Sequence, residues 1–262
     1  MERVSTGVFG LDELMFGGFI KNTVNTVLGT SGCGKTIFSI QFLMKGLEVG
    51  RRCVYISFDL EEEDFIKSAR SLGWNLKSFI EEGSLSVKRL DPQSTLMGGE
   101  FVRFIKGEDL QVVLDSFSPL IAEMDRVRNE VGWFFRMLKN SGTILITLEE
   151  PFLGSADVNL NIPIFLSDSV VYLKSIGYKE PYSRTLRILK HRMSPHAESV
   201  FPYLIVEGAG LVVYEKRGEG FDADLSNFPI SENGKNALKN LFKEGVLTRE
   251  DYETIRRRLW KR

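Results

Sequence analysis

Eight consecutive residues, Gly29-Thr30-Ser31-Gly32-Cys33-Gly34-Lys35-Thr36, fit the pattern G-x-x-x-x-G-K-[ST]. They lie between an apolar run, Thr23 to Leu28, and a segment with Ile37, Ile40, Phe42, Leu43 and Leu47 at helical spacing. A chain of this kind must leave a strand, curl tightly and enter a helix. Glycines permit the curl, because successive N–H groups can then point inward with no Cβ in the way. Such a nest, with the positive end of a helix behind it, binds phosphate oxygens. Lys35 is expected to reach the β- and γ-phosphates of a nucleoside triphosphate, and the Thr36 hydroxyl to ligate Mg²⁺. By residue frequencies the octet turns up in on the order of 1% of chains of this length by chance, so its strand–loop–helix context carries much of the weight. Cys33 reads as a tolerated small residue of the loop.

The rest of the chain supports an α/β fold. Short β-branched runs alternate with helix-length segments: Thr23 to Leu28 and a helix to Val49, Cys53 to Phe58 and a helix to Leu72, Leu110 to Phe117 and a helix to Lys139. That alternation predicts βαβ units and a mostly parallel, buried sheet. After a strand at Gly142 to Leu148, the runs Val170 to Leu173, Leu186 to His191, Tyr203 to Glu207 and Leu211 to Tyr214 have no helices between them. They are expected to be antiparallel strands extending the sheet. Residues 1–216 form the core, the Gly-, Asp- and Ser-containing stretch at 217–230 reads as a linker, and 231–262 reads as a helical hairpin broken at Gly245.

Composition narrows the class. The 262 residues are 43% hydrophobic and 26% charged, ordinary for a globular protein. No apolar run approaches the roughly 20 residues of a membrane span. Two cysteines without metal or disulfide spacing, and no signal-peptide pattern at MERVSTGVFG, point to a cytoplasmic protein. A formal charge of -1 argues against general nucleic-acid binding. Residues 231–262 nevertheless carry nine Lys or Arg against five Asp or Glu. That tail can dock a protein partner. Contact with nucleic acid is the less favoured use, since such cations also suit a solvated helix end.

Asp115 ends the run Val112-Val113-Leu114, so a carboxylate is placed at the C-terminal end of a buried strand, beside the phosphate loop. There it can hold Mg²⁺.

In chain order, STGVFGLDELMFGGF, GTSGCGKT, VYISF, Gly73-Trp74, VVLDSFSPL, ILITLEE and KHRMSPH resemble the KaiC-like and archaeal RadA-like ATPases of the RecA superfamily. The similarity covers roughly residues 2 to 215. It implies a RecA-like P-loop NTPase core, ATP and Mg²⁺ as ligands, and homo-oligomeric rings, commonly hexamers, with nucleotide between neighbours. It further implies that Lys190 and Arg192 reach the neighbouring subunit's ATP, with His196 at a matching position. Strand alternation puts the two cations on one face. Met193 stands where the family usually has glycine.

One departure bears on catalysis. The family's adjacent glutamates after the second strand are replaced by Asp59-Leu60, followed by Glu61-Glu62-Glu63. Asp59 is one methylene shorter than Glu, and a displacement of about 1 Å can cost around a hundredfold in rate. A slow ATPase is therefore expected, with Asp59 as base or Glu61 brought in by a bulge. Glu149 resembles the family's polar sensor of the γ-phosphate. A non-hydrolysing ATP-dependent assembly switch is the alternative, and a DNA-binding recombinase paralogue ranks below it.

Overall fold

The structure is a computed structural model that describes residues 1–93, 99–150, 158–175 and 184–213, together with Lys239, Lys243 and Arg249. Among the described residues nine strands form one sheet in the order β11-β10-β9-β8-β3-β7-β6-β4-β5. Its parallel part comprises β3 (Val24–Gly29), β4 (Cys53–Ser57), β5 (Leu85–Arg89), β6 (Leu110–Asp115), β7 (Gly142–Glu149) and β8 (Ser169–Ser175). The strands β9 (Arg184–His191), β10 (Val200–Val206) and β11 (Gly210–Val213) continue it antiparallel. A small ribbon, β1 (Arg3–Val4) with β2 (Phe19–Ile20), stands apart from it, with the short helix α1 (Leu11–Leu14) between the two strands.

Both faces of the sheet are covered. On one side α2 (Lys35–Glu48) and α3 (Glu62–Ser71) pack Phe38, Phe42 and Phe65 against Val27, Tyr55, Val113 and Leu145. On the other, α6 (Ser118–Ala122) and α7 (Val127–Lys139) pack Leu120, Val131, Phe134 and Leu138 against Val54, Ile56, Val112 and Ile144. Each such side chain contributes about 1.5–3 kcal/mol on burial. Central strands buried on both faces explain why the runs read as near-continuously apolar rather than alternating. The short helices α4 (Lys77–Glu81) and α5 (Gly99–Phe104) flank β5 in the chain.

Two expectations need correction, and one strand was missed. Val170 to Leu173 belongs to β8, which runs parallel to β3, with Asn25 opposite Ser169 and Gly29 opposite Leu173. A helix, α8 (Val158–Leu166), precedes it, as a parallel crossover requires. Its sequence, VNLNIPIFL, hides the helix behind β-branched residues, asparagines and Pro163. The single helix expected up to Lys139 is two, α6 and α7, with Asp125 in the connection. The edge strand β5 was not anticipated, because LSVKR buries only Leu85 and Val87.

The linker at 217–230 lies outside the described residues. So does the hairpin at 231–262, except Lys239, Lys243 and Arg249, which are each helical and exposed. Among the described residues no helix is long and apolar enough to cross a membrane.

Candidate nucleotide site

Strand β3 ends at Gly29 between two neighbours, paired to Glu149 of β7 and Leu173 of β8. A Cβ on Gly29 would lie 2.3 Å from the Leu173 carbonyl oxygen and 2.6 Å from Cys33 Sγ, so only glycine allows the chain to turn there. The loop then passes through Gly32 and Gly34, both with positive φ, and Gly34 caps the N-terminus of α2. The first turn of α2 holds no acidic residue of its own, so nothing within the helix neutralises its positive end. Underneath the loop, Tyr203 of β10 donates to the Cys33 carbonyl at 2.5 Å. Cys33 is buried, and burial pushes its thiol up.

An open cavity of about 330 Å³ lies above this loop, lined by Ser31, Gly32, Gly34, Lys35, Thr36 and Ile37 on one side. Ser57, Asp59, Leu60, Asp115, Ser116 and Glu149 line the other. The Lys35 ammonium donates to the carbonyls of Gly29 at 3.0 Å and Thr30 at 3.1 Å, and lies 4.0 Å from Glu149 Oε1. Of the loop octet, Gly29, Thr30 and Cys33 shape the turn, while the other five residues face the cavity.

Asp115 is buried and its carboxylate is held on both oxygens. Tyr55 donates to Oδ2 at 2.9 Å and Thr147 donates to Oδ1 at 2.5 Å. Burial and the adjacent Asp115 charge hold the Tyr55 phenol well above its usual range, so it remains a donor. Sequence reasoning missed both hydroxyls. Their only signal was a Tyr and a Thr inside otherwise apolar strands.

Asp59 is fixed by a short turn in which the Ser57 hydroxyl accepts the N–H groups of Asp59 at 3.1 Å and Leu60 at 2.8 Å. Desolvation, then Glu149 and Asp115, push the Asp59 carboxyl up. Glu61 is not among the residues lining the cavity. It forms the N-terminal boundary of α3 and accepts from Arg89 at 2.6 Å. Glu149 is placed by its own N–H, which donates to Ser118 Oγ at 3.2 Å. Thr36 and Asp115 bring oxygen donors to one cavity, a set that suits a hard divalent ion completing its shell with phosphates and water.

Lys190 and Arg192 lie elsewhere. Register runs from Asn25 to Ser169 to His191, so they sit by the start of β3, about 13 Å along the strand from Gly29. Both converge on one atom: Lys190 donates to the Phe165 carbonyl at 2.7 Å and Arg192 at 3.0 Å. A register shift at Val170/Val171 makes Leu189 the extra residue of a bulge that re-aims Lys190. Desolvation and then Arg192 pull the Lys190 ammonium down to about 8.

The turn that follows is braced from the N-terminus. Arg3 donates to His191 Nε2 at 3.0 Å and Ser194 Oγ at 2.6 Å. A guanidinium cannot accept, so His191 carries its proton on Nδ1 and donates to Ser169 Oγ at 2.7 Å. Burial, then the Arg3 charge, lowers His191 to about 4. His196 stands edge-on to it, with ring centroids 6.4 Å apart. Met193 adopts φ 60°, the left-handed conformation glycine favours, and thereby keeps the turn without a glycine.

A family model described as "ATPase: KaiC" matches residues 4–218. The circadian clock oscillator protein KaiC of Thermostichus vulcanus is 30% identical over 228 residues, covering 80% of this chain and 44% of that protein. The protein of the same description from Synechococcus elongatus is 32% identical over 222 residues, covering 78% of this chain and 43% of the relative. The chain thus spans less than half the length of these curated relatives. Among solved structures, a KaiC-like protein from the archaeon Pyrococcus horikoshii superposes with a TM-score of 0.69 at 26% identity, over 82% of this chain and 99% of that one. With a P-loop between β3 and α2, a mostly parallel sheet covered on both faces and a family match over residues 4–218, the chain belongs to the KaiC ATPase family.

Proposed function

We propose that this chain is a slow Mg²⁺-dependent ATPase working as a homo-oligomeric ring, in which Lys190 and Arg192 act on the nucleotide of the adjacent subunit. The observation that carries the reading is the separation of the two cations from their own phosphate loop, at opposite ends of the same sheet. Exposed Phe165, Leu189 and Met193 surround them. An apolar rim around a half-buried lysine and an exposed arginine suits a subunit interface.

In this reading the loop amides and Lys35 bind the triphosphate, and Thr36 and Asp115 hold Mg²⁺. Bound there, the ion would neutralise charge on the β- and γ-phosphates. Asp59 orients and deprotonates the attacking water, and its raised pKa brings it closer to that task. Leu60 beside it supplies no second acid, which accounts for a low rate. Glu149, 4.0 Å from Lys35, reports the state of the γ-phosphate. Arg192 and Lys190, arriving from the neighbour, supply transition-state charge that is worth about 10³ to 10⁵ in phosphoryl transfer.

The test is phosphate release under single-turnover conditions. Wild type should turn over, and Arg192→Ala should lose turnover while keeping ATP binding; an unchanged rate removes the trans assignment. The Asp59-Leu60 pair favours a second reading, an assembly switch in which ATP binding closes the ring without hydrolysis. Tight binding with no turnover by wild type selects it.

A further inference from the structure

Tyr55 and Thr147 are fully buried in β4 and β7, the two strands that flank β6. A Phe and a Val of the same shapes would fill these positions with no polar atom to satisfy, and a buried hydroxyl is costly unless it is paired. Both hydroxyls have the same partner. An ionised carboxylate only accepts, so Tyr55 donates to Asp115 Oδ2 at 2.9 Å and Thr147 to Oδ1 at 2.5 Å. One donor per oxygen, from opposite sides, fixes the rotation of the side chain and leaves each oxygen a lone pair. Without them Asp115 shares the cavity wall with Asp59 and Glu149, whose like charges would turn it away. The Tyr55 ring also stacks on Phe65 of α3, with centroids 3.8 Å apart at 21°. That helix follows directly on the Asp59 turn, so one ring ties the two acidic elements together.

We infer that Tyr55 and Thr147 are positioning residues that aim the Asp115 carboxylate at a divalent ion bound with the nucleotide. The inference rests on the reading of Asp115 as a metal-holding residue. It makes Tyr55 and Thr147 part of the metal site without either touching the ion. Outer-shell partners of this kind are typically worth about 10- to 100-fold in metal affinity.

The experiment measures ATP binding to the full chain in EDTA and in Mg²⁺, and takes the ratio of the two dissociation constants as the magnesium coupling. Tyr55→Phe and Thr147→Val should each shrink that coupling by about tenfold, with ATP binding in EDTA unaltered. Thr147→Ser, which keeps the hydroxyl, should restore it. A purely structural role would lower thermal stability and leave the coupling intact. Asp115→Asn separates metal holding from carboxylate positioning. If Asp115→Asn keeps full coupling, the metal reading of Asp115 fails and the inference goes with it. If Asp115→Asn loses coupling while Tyr55→Phe and Thr147→Val keep or tighten it, the positioning inference alone is overturned.

Discussion

Lys35 carries the largest single charge in the phosphate loop, and its ammonium is already desolvated against the carbonyls of Gly29 and Thr30. Lys35→Ala should therefore weaken ATP binding by about 1.5–3 kcal/mol, the worth of a charged hydrogen bond, with the fold retained; titration calorimetry beside a thermal melt checks both. For Asp59, removal of a general base predicts a loss of about 10² to 10⁴ in the single-turnover rate of Asp59→Asn, at unchanged ATP affinity. A fall confined to affinity would assign it to binding instead. His191 sets an acid limit on stability. Its folded-state pKa near 4 lies below the ordinary 6.5, so the stability that neutral His191 lends is complete above about pH 6.5 and is lost as pH falls towards 4. The loss amounts to at most about 3 kcal/mol. The gap in melting temperature between wild type and His191→Gln should accordingly narrow from pH 7 to pH 4.5.

Elements show where sequence reading succeeds and where it stops. The strands β3, β4, β6 and β7 were legible because burial on both faces leaves near-continuous apolar runs, and α2 because the loop chemistry dictates its start. The helix α8 was not legible, since its mean character is that of a strand and only the crossover to β8 demands a helix there. In the site, the residues expected to contact phosphate announce themselves by spacing. Those that act through another residue, such as Ser57 under the Asp59 turn or Arg3 behind His191, are joined by tertiary contacts that no local pattern records. The position of Glu61 was equally hidden, because its pairing with Arg89 depends on β5 lying beside β4. The turn after β9 offers a test at this scale. Left-handed backbone costs a side chain more than glycine, so Met193→Gly should raise stability by about 0.5 kcal/mol, read by chemical denaturation.

For the whole molecule the question is how copies of a KaiC-like ATP-binding protein meet. Native mass measured with and without Mg-ATP should show a higher oligomer only when nucleotide is present. Mixing experiments go further. Neither Lys35→Ala nor Arg192→Ala should turn over alone, yet an equimolar mixture should recover about a quarter of wild-type turnover, because random neighbours pair an intact loop with an intact Arg192 at that frequency. No recovery in rings shown to be mixed would place Arg192 in its own subunit's chemistry.

The distance along β3 between the loop and the two cations has a kinetic corollary. If Lys190 and Arg192 act in trans as proposed, a solitary copy holds both halves of the machinery yet cannot bring them to the same triphosphate. Specific activity should then collapse on dilution below the assembly threshold and recover on concentration, so that the protein would act as a gauge of its own abundance.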